Sequence, residues 1–183
     1  HDTSETGYAD FVDGDGNVTV TGDTIFDQVE TEYDMAGNVI ATTSYSRFHD
    51  ATGTGALTIS NARAARTGFW YDELGRQKAT ADYGTGALDR STQATVPARS
   101  DDVLVTSTDY DAMGENYRTV DPAGRQTRQS FDHAGRLIRT VSNYVTGQPT
   151  AEYPDQDVTV ERAYTADGAL ATLTARNPAT GDQ

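Results

Sequence analysis

The stretch Tyr110-Asp111-Ala112-Met113-Gly114 is followed by Val120-Asp121-Pro122-Ala123-Gly124 and then by Phe131-Asp132-His133-Ala134-Gly135. Each segment has the same order: an aromatic or aliphatic residue, Asp, two variable residues and Gly. An Asp at the first position of a β-turn accepts a hydrogen bond from the backbone N–H two residues later, and a Gly at the fourth position can adopt the left-handed conformation that a type I turn followed by a bulge requires. Three such turns about ten residues apart predict a meander of antiparallel hairpins.

The segments between the turns alternate with a period of two, which is typical of β-strands. Thr127, Gln129 and Phe131 fall on one face of a strand, with the intervening residues on the other. The sequence therefore predicts an all-β fold of antiparallel hairpin repeats, with about 14 strands in a sheet that curls or spirals. One segment leaves two interpretations open: residues 61–66 have the composition of a short helical turn, or they form an extended strand that leads into Phe69 and Trp70.

The same pattern recurs outside this central stretch. Complete or nearly complete copies place an aromatic residue before each turn, and one half-repeat lies between two of them. These repeat positions are Tyr33, Asp34 and Gly37; Tyr71, Asp72 and Gly75; Tyr110, Asp111 and Gly114; Asp121 and Gly124; Phe131, Asp132 and Gly135; and Tyr164 and Gly168, where Thr165 replaces the Asp. The pattern Tyr-Asp-x-x-Gly-Arg/Asn resembles the repeat motif of the YD-repeat proteins. This family includes bacterial Rhs proteins, shell components of insecticidal Tc toxin complexes and animal teneurins.

The resemblance implies a fold, a set of partners and a location. In that family the sheet winds into a large β-barrel or cocoon that encloses a toxin polypeptide, or it forms an extracellular adhesive module. We therefore expect residues 1–183 to be a single YD-repeat region of a longer bacterial chain, or a β-solenoid-like array, with insertions near 82–102 and 146–156. The expected partners are neighbouring repeats of the same chain or identical subunits, joined through edge strands, and also an enclosed toxin polypeptide or cell-surface glycans. The expected location is extracellular or at the cell surface.

Composition excludes several classes of protein. Only 36% of the residues are hydrophobic and the mean hydropathy is −0.63, which favours a sheet with one solvated face over a compact globule. The formal net charge is −14, with 28 acidic and 14 basic residues, so the chain lacks the basic surface that nucleic acid requires. No apolar run is long enough to predict a membrane span. The absence of cysteine excludes disulfides and thiolate metal sites.

A calcium site is one hypothesis for the N-terminal region. Asp13, Asp15, Asn17 and Asp23 resemble the start of a calcium loop, in which oxygen ligands at alternating positions surround the ion. An EF-hand also needs Gly at its sixth position and Glu at its twelfth, but Val18 and Thr24 stand there. Calcium binding and a plain Asp-Gly hairpin turn both remain open.

No catalytic motif is present in the sequence. His1, His49 and His133 have no spacing that indicates a metal site or a catalytic triad, and there is no glycine-rich phosphate loop. Adjacent acids such as Asp101 and Asp102 are more typical of solvated turns than of a glycosidase pair. We therefore expect a protein that is not an enzyme and that has no catalytic or cofactor-binding residues.

The aromatic residues before the turns are the strongest signal apart from the turns themselves. We expect them to stack into a ladder across neighbouring hairpins, whereas a sugar-binding platform is the competing interpretation. The sequence as a whole predicts a non-catalytic structural repeat segment of a large secreted or cell-surface YD/Rhs-repeat protein that builds a β-sheet shell. A subunit of an extracellular self-assembling fibre or adhesin, and a carbohydrate-binding module, are the alternatives.

Overall fold

The computed structural model describes residues 22–176, and the secondary structure of this part of the chain consists of β-strands and turns. The strands form one sheet in which spatial order follows chain order, and each pair with a described register is antiparallel. The predicted all-β fold of antiparallel hairpins is confirmed. The ten strands are β1 Asp27–Tyr33, β2 Val39–Arg47, β3 Ala62–Tyr71, β4 Gln77–Gly84, β5 Leu104–Tyr110, β6 Asn116–Val120, β7 Gln126–Phe131, β8 Leu137–Ser142, β9 Val158–Tyr164 and β10 Leu170–Arg176.

Short turns built on the repeat motif join alternate pairs of strands. The turns 34–38, 72–76, 111–115, 132–136 and 165–169 connect β1 to β2, β3 to β4, β5 to β6, β7 to β8 and β9 to β10, and the half-repeat 121–125 connects β6 to β7. The strand register shifts next to the turn in the hairpins where the aromatic residue is Tyr33, Tyr110 or Phe131. A type I turn followed by a bulge produces this shift, as the sequence predicts.

The longer connections lie between the other strand pairs. Residues 48–61 join β2 to β3, residues 85–103 join β4 to β5, and residues 143–157 join β8 to β9. Strand β4 therefore extends three residues into the insertion expected at 82–102, and the connection 143–157 contains the insertion expected at 146–156.

Strand β3 settles the ambiguity at residues 61–66 in favour of the extended alternative. Ala62 and Ala64 are buried while Arg63 and Ala65 are exposed, which is the alternation of a strand and not the period of a helix. The pairing of β3 with β2, from Arg47 opposite Ala62 to Ala41 opposite Gly68, supplies backbone hydrogen bonds along this whole segment. Sheet pairing therefore overrides the local helix propensity of the alanine and arginine residues.

The chain divides into two compact units. The first contains the described residues up to Trp70 together with Ala81–Val96. Its buried core consists mainly of small side chains around one tryptophan: Ala41, Leu57, Ala62, Ala64, Trp70, Ala81 and Tyr83. Arg90, in the connection after β4, fixes that connection to the sheet. Its guanidinium donates to the backbone oxygens of Ile40 and Phe69 at 3.1 and 3.2 Å and stacks on the Trp70 ring at 4.2 Å.

The second unit contains Tyr71–Thr80 and the described residues from Pro97 onward. Val120, Val141 and Thr159 are buried on one face of its sheet, and Val105 is also buried. Few large apolar side chains are fully buried, which agrees with the low hydrophobic content of the sequence. No helix among residues 22–176 has the length and apolar character needed to cross a membrane.

Candidate functional site

The repeat turns are closed by the carboxylate of their Asp. In the turn 72–76, Asp72 Oδ1 accepts the backbone N–H groups of Leu74 and Arg76, both at 2.9 Å, and the Gly75 N–H donates to the Asp72 backbone oxygen at 3.0 Å. The same pattern occurs at Asp34, Asp111 and Asp132. The predicted turn chemistry is therefore present, and the carboxylate satisfies two backbone donors in each of these turns.

The glycine of each turn has the left-handed backbone conformation. The expected positive φ values of Gly114 and Gly135 are confirmed, at 92° and 75°. Gly168 has a φ of 90° although its turn begins with Thr165, which has no carboxylate. There the backbone closes the turn without that help, because the Thr165 N–H donates to the Ala169 oxygen at 2.8 Å and the Gly168 N–H to the Thr165 oxygen at 3.0 Å.

An arginine after the turn glycine links one hairpin to the next. Arg76 donates through Nε to Asp72 Oδ2 at 2.7 Å, and its guanidinium carbon lies 4.4 Å from the centre of the Tyr110 ring. The Tyr110 hydroxyl then donates to the backbone oxygen of Gln77, the residue after that arginine, at 2.9 Å. We call this set of contacts a turn relay: the Asp and Arg of one turn, and the Tyr that precedes the next full repeat turn.

A second turn relay has the same geometry. Arg136 donates to Asp132 at 2.7 Å and lies 4.7 Å from the centre of the Tyr164 ring, and the Tyr164 hydroxyl donates to the Leu137 oxygen at 2.9 Å. The N–H and the guanidinium of Arg136 together lower the pKa of Asp132. Each relay therefore combines an ion pair, a cation–π contact and a hydrogen bond between consecutive full repeats.

The two relays correct the prediction of a ladder of aromatic rings at two of its positions. At Tyr110 and Tyr164 the stacking partner is a guanidinium from the preceding repeat, whereas the predicted partner was another aromatic ring. The sequence did contain a signal for it, because Arg76 and Arg136 occupy the same place after the turn glycine and each relay tyrosine occupies the same place before its turn.

The intervening repeat has no turn relay. Glu115 stands where the two turns with relays have Arg76 and Arg136, and Phe131, which has no hydroxyl, stands where those turns are followed by a relay tyrosine. Glu115 Oε1 lies 2.9 Å from the position that a Cβ atom at Gly135 would occupy, so the carboxylate reaches the next turn. Burial raises the pKa of Glu115, and the carboxylates of Asp111 and Asp132 raise it further.

The connection 143–157 is organised by one buried carboxylate that no sequence motif indicates. Asp157 is 3% exposed and accepts the N–H groups of Val145, Thr146 and Gly147 at 2.7, 3.0 and 2.8 Å, together with the Thr146 hydroxyl at 2.9 Å. Burial by itself would raise the pKa of this carboxyl, but the donors outweigh it and lower the pKa from 3.8 to about 2. Asp157 is therefore ionised in the folded protein and fixes the start of the connection.

A polar groove lies beside this connection in the second unit. Asn143 Nδ2 donates to the Asp155 oxygen at 2.9 Å, and the Asp121–Arg125 ion pair, at 2.8 Å, is also part of the lining. The groove offers hydroxyl, amide, carboxylate and guanidinium groups from Thr119, Asp121, Arg125, Thr127, Ser142, Asn143 and Asp155.

The calcium hypothesis falls mostly outside the described residues. Asp13, Asp15 and Asn17 precede residue 22, and Asp23 contributes a backbone oxygen that accepts the Gly55 N–H at 2.8 Å. Within residues 22–176 no group of three or more His, Asp or Glu side chains has a geometry suited to a metal ion. Calcium binding stays a prediction, as does the expectation that the protein is not an enzyme.

Comparison with known proteins gives matches among solved structures alone. No protein-family model matches the chain, and no curated protein matches it. Chains in the crystal structures of TcdB2-TccC3 and of TcdB2-TccC3 with Cdc42, and in the structure of the Photorhabdus luminescens Tc holotoxin pore, are similar at 16% sequence identity and a TM-score of 0.31. These matches cover 91% of this chain and 11% of each of those chains.

Proposed function

We propose that this chain is a non-catalytic structural segment of a large YD/Rhs-repeat protein, secreted by a bacterium or held at its surface, in which the repeats build a β-sheet shell. The observation that carries the proposal is the turn relay. Arg76 is held by the Asp of its own turn but stacks on a tyrosine of the following repeat. Each relay is therefore completed only when the next repeat is in place.

This arrangement favours a role in stabilising an array of repeats over a role in binding or catalysis. In repeat arrays each unit depends on contacts with its neighbours, so stability comes from adding further units. The carboxylates of Asp72 and Asp132 stand at the same position of their repeat turns, and both accept hydrogen bonds from groups of their own turn. They are therefore used to hold the turns and not to bind a ligand. In the proposed protein, neighbouring repeats of the same chain cover the sheet edges, and the enclosed partner is a toxin polypeptide.

The test is the length and sequence of the natural full-length protein, determined by intact mass and sequencing from its source. A shell segment requires a chain many times longer, in which Tyr-Asp-x-x-Gly turns followed by arginine continue beyond both ends of this segment. A natural chain of about this length, without flanking repeats, would overturn the proposal.

A self-assembling fibre or adhesin is the second candidate, and strand β10 is the observation that favours it. β10 is terminal in the described sheet, and Leu170 and Leu173 are 54% and 57% exposed. The strand contains neither Pro nor Lys, the residues that commonly protect a sheet edge from pairing. A fibre subunit should show concentration-dependent association in analytical ultracentrifugation, and Leu173→Lys should abolish it. A sharp monomer at every concentration would argue against the fibre.

A carbohydrate-binding module is the third candidate, and the polar groove would be its site. The groove contains two carboxylates, and its one guanidinium, that of Arg125, already pairs with Asp121. This charge balance favours a neutral saccharide over an acidic one. On an array of neutral, sialylated and sulfated glycans, binding should be confined to neutral glycans. Ser142→Ala should weaken that binding, whereas Ser130→Ala, the same change on an exposed residue of β7, should not. An array without signal, or binding unchanged by Ser142→Ala, would exclude the groove.

The calcium proposal is tested separately by calorimetry. If calcium binds, titration with Ca²⁺ should give a saturable heat, and Asp15→Ala should reduce both that heat and the gain in melting temperature in Ca²⁺. The absence of heat, together with an unchanged melting temperature, would leave the plain turn as the correct interpretation.

A further inference from the structure

We propose that the pairing of β6 with β7 is a hinge within the second unit, at which hairpin β5–β6 and hairpin β7–β8 separate while each stays folded. This inference goes beyond a structural role for the sheet. Four observations carry it: the length of the pairing, the charges that face each other across it, the missing relay, and the tight turn that holds one end.

The pairing between β6 and β7 stops short of the edge that carries the repeat turns. Its register runs from Val120 opposite Gln126 to Arg118 opposite Arg128, which is three positions. The pairings β5–β6 and β7–β8 on either side each extend over four positions and continue up to their repeat turns. The backbones of β6 and β7 are therefore joined only over the half of the ladder next to the 121–125 turn.

Like charges face each other at the last paired position. Arg118 and Arg128 are directly opposite, an arrangement that destabilises antiparallel strands. Each arginine is held on its own side of the pairing. Arg118 donates to Asp109 of β5 at 2.5 Å, while Arg128 donates to Gln126 of β7 at 3.2 Å and stacks on Tyr144 at 3.7 Å. These contacts remain intact when the two hairpins separate.

The turn relay is missing at the same boundary. A relay here would join the 111–115 turn to the 132–136 turn, but Glu115 and Phe131 occupy the Arg and Tyr positions. The Glu115 side chain reaches Gly135, in the turn whose Asp132 is also a carboxylate. A glutamate and a phenylalanine can form neither the cation–π contact nor the hydroxyl hydrogen bond of a relay, and Glu115 instead faces a second carboxylate, so this edge lacks the clamp found at the two boundaries with relays.

The opposite end of the pairing is held by the tight turn 121–125. The Asp121 N–H donates to the Arg125 oxygen at 3.0 Å, the Asp121 carboxylate accepts the Arg125 N–H and Nε, both at 2.8 Å, and Pro122 restricts the backbone. One end of the pairing is thus fixed and the other is neither paired nor clamped, which is the geometry of a hinge.

Amide hydrogen exchange of the intact chain tests the hinge directly. The relevant amides are the N–H groups of residues 116–120 and 126–131 that point from β6 towards β7 or from β7 towards β6, called the facing amides. Among the strands between β5 and β9, these should exchange fastest, because local opening exposes them without unfolding either hairpin. The variant Glu115→Arg/Phe131→Tyr supplies the missing relay, with the new hydroxyl placed to donate to the Asn116 oxygen. It should slow this exchange about two- to fivefold, the range expected for one exposed cation–π contact.

Glu73→Arg is the matched control, because it makes the same change of charge at an exposed position of another repeat turn. It should leave exchange in β6 and β7 unchanged. The proposal is overturned if the wild-type facing amides of β6 and β7 are protected as strongly as those of β8 and β9. It is also overturned if the double variant leaves exchange unchanged or slows it equally in all strands.

Discussion

Asp157→Asn removes one negative charge from the interior of the connection 143–157 and preserves the size of the side chain. The amide can still accept hydrogen bonds through its oxygen, but it presents an NH₂ group where the carboxylate accepts N–H donors. The carboxylate accepts bonds from three consecutive backbone N–H groups and from the Thr146 hydroxyl. At least one of these donors loses its acceptor in the variant, so the substitution should destabilise the folded state.

The magnitude follows from the shift in the pKa of Asp157. Its hydrogen bonds lower this pKa from 3.8 to about 2, which corresponds to about 2 kcal/mol of stability at neutral pH. Because the folded-state pKa is the lower one, the stabilisation is fully present above the unfolded pKa of 3.8. It decreases as the pH falls from there towards 2, where the folded protein also takes up the proton.

Urea unfolding followed by far-UV circular dichroism, repeated from pH 7 to pH 3, measures this effect. At pH 7 the variant should be less stable than the wild type by about 2 kcal/mol, and the difference should shrink as the pH drops below 4. Asp155→Asn is the matched control, because Asp155 is exposed in the same connection and only its backbone oxygen is used by Asn143. A destabilisation by Asp157→Asn that stays the same across this range would refute the electrostatic reasoning. A loss equal to that of the control would refute the role of the buried carboxylate.

Three further predictions concern the relays, the turns and the first unit. Tyr164→Phe removes one hydrogen bond of a relay and should lower the free energy of unfolding in urea by about 1 kcal/mol. Tyr153→Phe, on a half-exposed ring in the connection 143–157, should be neutral, and equal effects of the two changes would contradict the relay. Gly114→Val forces a β-branched residue to a φ of 92° and should lower the free energy of unfolding by more than about 1 kcal/mol. Met113→Ala in the same turn should have a mild effect, and an unchanged melting temperature for the valine variant would contradict the turn geometry. Arg90→Ala removes the cation that stacks on the one tryptophan and should shift its fluorescence emission to longer wavelength as the connection after β4 loosens, so an unchanged spectrum would show that this contact does not hold the connection.

The sequence by itself determined the hairpins, because their chemistry is local. An Asp that accepts N–H groups two and four residues later, and a Gly three residues later with a positive φ, need nothing from the rest of the chain. The period of two between these turns is equally local, so the strands and the bulged turns were predictable. Two of the three long connections, those after β4 and β8, were also visible as interruptions of the repeat, although their exact bounds depended on how far each strand pairs.

The tertiary structure decided which side chains meet across repeats. Arg76 and Tyr110 are far apart in the sequence, and only the pairing of successive strands brings the guanidinium onto the ring. Strand β3 is extended for the same reason, since an alanine-rich segment with helix propensity gains more hydrogen bonds from the sheet. The carboxylate of Asp157 has no sequence motif, because its role depends on a connection that folds back over it. Local turn chemistry could therefore be predicted from the sequence, whereas contacts between distant residues depend on strand register, which the whole sheet sets.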